Sequence, residues 1–144
     1  MRRFTILAVA VLTFLIVSTG STLAQRPWYR GNVREIIRDL ESDTDRYKSS
    51  LDSALDRSRL NGSRAEDEIN DYVKHFEEAT DRLRDRAEDR QYAPNLAREV
   101  LNRGRSINTF MRRNRLGGQA ESDWAKVRND LNRLSNAYNL NWRW

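Results

Sequence analysis

Hydrophobic residues recur every three or four positions along most of the chain and every second position at its C-terminal end. The clearest stretch runs from Trp124 to Trp144. Steps of three and four residues connect its first apolar positions, which are Trp124, Val127, Leu131, Leu134 and Tyr138. Residues with this spacing lie on one face of an α-helix. After Tyr138 the apolar positions alternate with polar ones, which predicts an extended tail carrying Trp142 and Trp144 on one side.

Three stretches upstream have the same helical period. We predict helices over about 32–60, 64–91, 94–115 and 122–138. Residues that favour a helix N-terminus mark the four starts: Asn32, Ser63 with Glu66 three positions later, Pro94, and Ser122. Short turns join the helices, so that neighbours run antiparallel. The sequence therefore predicts an all-α, antiparallel up-down-up-down four-helix bundle with an extended aromatic C-terminal tail.

The antiparallel order also predicts which side chains share a level of the bundle. Counting outward from each turn places one layer of large residues at the same height: Tyr47, Phe76, Phe110 or Met111, and Trp124. The same count brings Trp28 and Tyr29 to the end that holds Trp142 and Trp144. We predict that these four aromatic residues cap the open end. Two alternatives for the tail are addition as a strand to a partner's sheet edge and anchoring at a membrane interface.

The first residues have the pattern of a secretory signal peptide. Arg2 and Arg3 precede an apolar run over residues 4–17, and small residues including Thr22 and Ala24 follow it. We predict a signal peptide over residues 1–24 and one helical domain over 25–144, with an uncleaved anchor as the alternative. Cleavage leaves no transmembrane segment. The chain has no cysteine, and export without disulfides favours a periplasmic or secreted bacterial protein.

Charge is distributed unevenly along the predicted bundle. Residues 32–93 contain 12 basic and 17 acidic side chains, a net −5, whereas residues 94–144 contain 10 and 4, a net +6. One interpretation is that the acidic and basic hairpins pair within the molecule, with the arginines meeting the acidic start of the second helix. The other is an exposed patch for an anionic partner such as a lipid or a cell-wall polymer. That patch comprises Arg103, Arg105, Arg112, Arg113 and Arg115. Nucleic acid is not expected, because no aromatic residues interleave with the basic ones on a polar face.

Catalytic and metal sites are poorly supported. With one histidine, His75, and no cysteine, the chain has neither a nucleophile–histidine pair nor the paired Glu-x-x-His motifs of di-iron bundles. No glycine-rich phosphate loop is present. We therefore expect a non-catalytic protein without a metal or cofactor.

One alternative uses His75 and Met111, which the level count places at the same height on adjacent helices. This pair resembles the ligands of b-type four-helix-bundle cytochromes, and the resemblance implies a haem b or small apolar ligand carrier. In that family the ligands lie on the first and last helices, whereas here they lie on the second and third. The competing interpretation is a surface histidine and a core methionine.

A second resemblance concerns the C-terminal stretch from Trp124 to Trp142. Its pattern, W-x-x-V-R-x-D-L-x-x-L-x-x-x-Y-x-L-x-W, resembles one found in uncharacterised exported bacterial helical proteins, and it implies no particular activity. Together with the N-terminal segment, it favours an exported helical-bundle protein of the periplasm or cell envelope. We expect a binding or structural role, with an unknown protein or an anionic envelope component as the partner.

Overall fold

The computed structural model describes the backbone of residues 27–144 and the side chains from Asn32 onward. The predicted signal peptide over residues 1–24 lies outside the described residues. Four α-helices make up the described chain: α1 (Pro27–Asp56), α2 (Arg64–Glu88), α3 (Pro94–Asn114) and α4 (Gly118–Ala137). Short turns connect them, and the predicted all-α four-helix bundle is confirmed.

The starts of α2 and α3 follow the sequence signals. Ser63 is the N-cap of α2, and its hydroxyl accepts a hydrogen bond from the Glu66 amide. The Glu66 carboxylate in turn accepts from the amide of Gly62, one residue before the donor of a standard capping box. Pro94 occupies the first turn of α3, where its missing N–H removes no helical hydrogen bond.

The starts of α1 and α4 lie earlier than predicted. α1 begins at Pro27, so Asn32 lies within the helix and does not cap it. A proline is well suited to the first helical position, where its fixed φ matches the helix. α4 begins at Gly118, after Gly117 with a φ of 69°, and Ser122 therefore lies inside the helix. The Glu121 carboxylate accepts a hydrogen bond from the Gly117 amide at 3.1 Å and ties the turn to the helix.

One hydrophobic core lies between the helices, and α1 packs most closely on α4 and α2 on α3. The predicted apolar faces supply this core, with each helix contributing large buried side chains such as Leu40, Phe76, Ile107 and Leu131. Burial of each such side chain contributes roughly 1.5–3 kcal/mol. The four faces thus hold together helices that would be unstable alone.

The predicted layer is correct for Tyr47 and Trp124, whose ring centroids are 5.1 Å apart. Phe76 packs beside Gly104. A Cβ atom added at Gly104 would lie 2.7 Å from Leu131 Cδ1 and 3.6 Å from Phe76 Cε2. Gly104 therefore permits the close approach of side chains from α2 and α4 to the α3 backbone.

Candidate functional site

The C-terminal tail turns back along the bundle after α4. Tyr138 ends the helix, and Asn139 has a positive φ of 53°, which reverses the chain. The Leu140 amide donates to the Ser135 carbonyl at 2.9 Å, and the Ser135 hydroxyl donates to the Leu140 carbonyl at 2.8 Å. These two hydrogen bonds fix the direction in which the tail leaves the helix.

Arg105 and Asn132 hold the tail against α3 and α4. The Arg105 guanidinium lies over the Trp142 ring, 4.1 Å from its centroid, and donates to the Arg143 carbonyl at 3.0 Å. The Trp144 indole N–H donates to the side-chain oxygen of Asn132 at 2.8 Å. Because Arg105 lies in the middle of α3 and Asn132 lies in α4, the tail runs along the side of the bundle between these helices.

This position corrects the predicted aromatic end cap. Trp142 and Trp144 lie along the side of the bundle and not across its open end, since the reversal at Asn139 directs the tail back toward the middle of α4. The side chains of Trp28 and Tyr29 lie outside the described residues, and their backbone belongs to α1. The predicted alternation is confirmed, because the partly buried positions of the tail are Leu140, Trp142 and Trp144 and the exposed ones are Asn139, Asn141 and Arg143.

The arginines of the predicted basic patch have different surroundings. Arg103 forms an ion pair with Glu99 of its own helix at 3.7 Å, and the tail engages Arg105. All five members of the patch are exposed: Arg103, Arg105, Arg112, Arg113 and Arg115. Of these, Arg112 and Arg115 face α4, so the patch predicted from the sequence does not form a single surface.

The two α4-facing arginines line a groove with a volume of about 480 Å³. We define the α3–α4 groove by its lining residues: Asn108, Met111, Arg112, Arg115, Glu121, Trp124 and Arg128. Arg128 was absent from the predicted patch, because α4 carries three basic and three acidic residues and has no net charge. Helical spacing, which puts Arg128 one turn after Trp124, was the signal that could have identified it.

Three arginines and one glutamate line the α3–α4 groove. Among the described residues, no ion pair includes Arg112, Arg115 or Arg128. Arg128 Nε is buried and has no hydrogen-bond acceptor. By contrast, Arg84 and Lys48 of the first hairpin each meet a glutamate of the facing helix at 2.8 Å. The three positive charges of the groove are therefore not neutralised by an ion pair within the described residues.

Ion pairs between the two hairpins do not neutralise the groove either. Arg82 of α2 meets Glu99 of α3 at 2.7 Å, and Arg133 of α4 meets Asp39 of α1 at 2.8 Å. Neither pair uses an arginine of the predicted patch. No described ion pair joins a patch arginine to the acidic start of α2, but Arg105 and Arg113 line a second groove together with Glu68 of that start.

The floor of the α3–α4 groove is part of the core. Trp124 is only 3% exposed, and its indole N–H donates to the Asn108 side-chain oxygen at 3.1 Å. The rings of Tyr47 and Trp144 contact it from two directions, with centroids 5.1 and 6.4 Å away. Met111 is likewise buried. These contacts fix an apolar floor, so the groove is formed before any ligand enters.

The predicted haem ligands do not face a common space. His75 is exposed on α2, whereas Met111 is buried and lines the α3–α4 groove on the other side of α3. A haem iron held by both side chains needs them on opposite faces of one apolar cleft. The arrangement therefore does not fit a haem, and the surface-histidine interpretation matches the exposure of His75.

Within residues 27–144, no three histidine, cysteine or acidic side chains are grouped so that they could hold a metal ion. No helix in this described part of the chain is both long enough and apolar enough to span a bilayer.

Comparison with known proteins identifies no relative. The chain matches no protein-family profile, no curated protein and no solved structure. Its function must therefore be inferred from its own geometry and charge.

Proposed function

We propose that the protein is an exported, non-catalytic helical-bundle protein that binds an anionic component of the periplasm or cell envelope through the α3–α4 groove. The observation that carries this proposal is that Arg112, Arg115 and Arg128 line one groove and form no ion pair among the described residues. Like charges held close together raise each other's energy, and an anionic ligand relieves that repulsion.

The location of the groove supports a binding role. It opens between α3 and α4, next to the tail that occupies the other part of the same side of the bundle. Its floor is rigid because Trp124 and Met111 belong to the core. A preformed groove avoids the entropic cost of ordering side chains when a ligand binds. We infer that the bundle serves as a scaffold for this surface.

Export is supported by the N-terminal segment alone. Arg2 and Arg3, the apolar run over residues 4–17 and the small residues up to Ala24 match the three parts of a signal peptide. Outside the cytoplasm, the abundant anionic surfaces are acidic lipids and acidic wall polymers. We therefore place the anionic partner in the envelope.

Sedimentation with anionic vesicles and with purified peptidoglycan tests the proposal. The mature protein should sediment with at least one of them at low salt, and less of it should do so as salt rises, because screening weakens contacts between exposed charges. The double variant Arg112→Glu/Arg115→Glu should lose this binding. A matched control, Arg57→Glu/Arg59→Glu, makes the same change of charge at exposed sites of the first hairpin and should bind nearly as the wild type does.

Two results would count against the proposal. Wild-type protein that sediments with neither material lacks the proposed activity. Equal losses in the groove variant and in the control show that binding follows net charge and not the groove. Circular dichroism of both variants checks that the helices are intact.

A further inference from the structure

We propose that the α3–α4 groove is a site for a phosphomonoester group in its dianionic form. This inference rests on the proposed function, since it names the anion that the same groove takes. Three arginines and one glutamate line the groove, which gives it a formal charge of +2. A phosphomonoester carries about −1.5 to −2 at pH 7. One such group therefore neutralises the groove, whereas a carboxylate or a phosphodiester leaves half of its charge uncompensated.

The donors also match phosphate better than carboxylate. A guanidinium presents a planar fork of N–H groups that pairs with two oxygens of a carboxylate or a phosphate. One carboxylate has two oxygens and is satisfied by a single arginine. A phosphomonoester has three terminal oxygens, and the groove is lined by Arg112 of α3, by Arg115 at the C-cap of α3 and by Arg128 of α4. The number of guanidinium groups thus equals the number of oxygens.

Arg128 provides the most specific feature of the site. Its Nε atom is shielded from solvent and has no acceptor in the described part of the protein. A buried N–H without an acceptor is unfavourable, and native proteins rarely leave one unsatisfied. The guanidinium to which Nε belongs is partly exposed and lines the groove, so a phosphate bound there stabilises its charge through the accessible part of the group. Arg112 and Arg115, which are exposed, complete the charge at the entrance.

The remaining lining residues determine what can accompany the phosphate. Trp124 and Met111 form an apolar floor next to the arginines, and it suits the carbon atoms of an esterified glycerol or sugar. Glu121 is the one acid among the described lining residues, and the Gly117 amide donates a hydrogen bond to its carboxylate at 3.1 Å. Glu121 reduces the formal charge of the groove from +3 to +2, which the two negative charges of a dianion neutralise.

Calorimetric titration tests this site on the mature protein with three probes: glycerol 3-phosphate, dimethyl phosphate and acetate. Glycerol 3-phosphate should bind at one saturable site, at least about tenfold more tightly than dimethyl phosphate or acetate, as expected when a charge-assisted contact is lost. Its affinity should fall below pH ~6, where the monoester takes up a proton. Dimethyl phosphate, which stays a monoanion, should show no such fall.

Substitutions locate the binding. Arg128→Lys keeps the charge and removes the planar fork of N–H donors, and it should weaken glycerol 3-phosphate binding about tenfold. Arg112→Gln/Arg115→Gln changes only exposed side chains and should weaken it further, so that the test survives if the Arg128 variant does not fold. Arg57→Gln/Arg59→Gln is the matched control and should bind as the wild type does.

Vesicles distinguish a lipid headgroup from a free ester. Phosphatidic acid carries a phosphomonoester and phosphatidylglycerol a phosphodiester, so vesicles of the two lipids are compared at equal surface charge. Tighter binding to phosphatidic acid vesicles than to glycerol 3-phosphate indicates a lipid headgroup. Equal affinities for phosphatidic acid vesicles and glycerol 3-phosphate indicate a free ester.

The outcomes separate this inference from the proposed function. Equal binding of glycerol 3-phosphate and dimethyl phosphate, or binding that Arg128→Lys leaves unchanged, overturns the phosphomonoester site. If the groove variant still loses sedimentation in that case, the proposed function stands without it. Tight binding of glycerol 3-phosphate without sedimentation of any envelope material would instead support the site and refute the envelope role.

Discussion

The Trp144 indole meets the Trp124 indole edge-on, with ring centroids 6.4 Å apart and an interplanar angle of 80°. This is a preferred geometry for two aromatic rings, because the positive edge of one faces the negative face of the other. The contact joins the last residue of the chain to the floor of the α3–α4 groove. The tail therefore contributes to the stability of the surface that we propose binds the partner.

Replacing Trp144 tests this connection. Trp144→Ala should lower the free energy of unfolding by about 1–3 kcal/mol, less than the ~3–5 kcal/mol of a fully buried tryptophan, because Trp144 is only partly buried. Trp144→Phe keeps a ring and loses the hydrogen bond to Asn132, so its loss should be smaller. Urea denaturation measures both values. The control is Arg143→Ala, which removes an exposed side chain and leaves the carbonyl that Arg105 binds; a loss as large as that of Trp144→Ala would refute a specific role for the ring.

A second prediction concerns Gly104, where side chains from α2 and α4 closely approach the backbone of α3. A Cβ atom at this position would lie 2.7 Å from Leu131 Cδ1, so a branched side chain would displace a fully buried leucine. Gly104→Val should therefore destabilise the protein by about 1–3 kcal/mol, the usual cost of overpacking a core. Asn102→Val introduces the same side chain at an exposed position of α3 and should cost much less. Thermal denaturation of the two variants decides the matter, and equal melting temperatures would contradict the close approach.

Asp123 and Asp130 of α4 have pKa values that shift in opposite directions. The hydrogen bond from Lys126 at 2.8 Å is the main cause that holds the pKa of Asp123 below its usual value. Burial raises the pKa of Asp130, and the ion pair with Arg133 at 2.8 Å only partly opposes it. The charged form of Asp123 thus stabilises the fold, whereas the charged form of Asp130 destabilises it.

The two aspartates should therefore respond oppositely to acid. The stability that Asp123 contributes is present above its unfolded pKa of ~3.9 and is lost as the pH falls through its lower folded pKa. Asp130 gains a proton more readily in the folded protein, so its contribution improves as the pH falls through its raised folded pKa and is complete below ~3.9.

Urea denaturation at several pH values, from ~7 to ~3, measures these contributions in Asp123→Asn and Asp130→Asn. The stability advantage of the wild type over Asp123→Asn should shrink at the acid end of this range. Its advantage over Asp130→Asn should grow on acidification, because the variant lacks the favourable protonation. Asp52→Asn, at an exposed site, controls for the removal of a negative charge. Changes of the same sign in both α4 variants would contradict the opposite pKa shifts.

Much of the fold follows from local signals in the sequence. The helical period identified the buried faces, and Ser63 and Pro94 marked the starts of α2 and α3 because capping depends on neighbouring residues alone. The same local signals gave wrong starts for α1 and α4, because Asn32 and Ser122 are good N-cap residues. The proline at position 27 allows α1 to start earlier, and the glycines at 117 and 118 allow α4 to do so. Such signals rank candidate starts and do not decide between two that lie close together.

The candidate site was less predictable, because it depends on contacts between distant parts of the chain. Alternation after Tyr138 predicted which tail residues are partly buried, and it could not show that the positive φ of Asn139 turns the tail back along α3 and α4. Likewise, charge counts along the sequence identified Arg112 and Arg115 and missed Arg128. The burial of its Nε atom depends on tertiary packing, and local sequence patterns do not predict such packing.

The most direct test of the central claim is a backbone amide NMR titration of the mature protein with nanodiscs that contain anionic lipid. We expect the largest signal changes in the second half of α3 and the first half of α4, roughly residues 108–128, and we expect Arg112→Glu/Arg115→Glu to remove them. Changes concentrated in α1 and α2, or changes that persist in the double variant, would contradict the account.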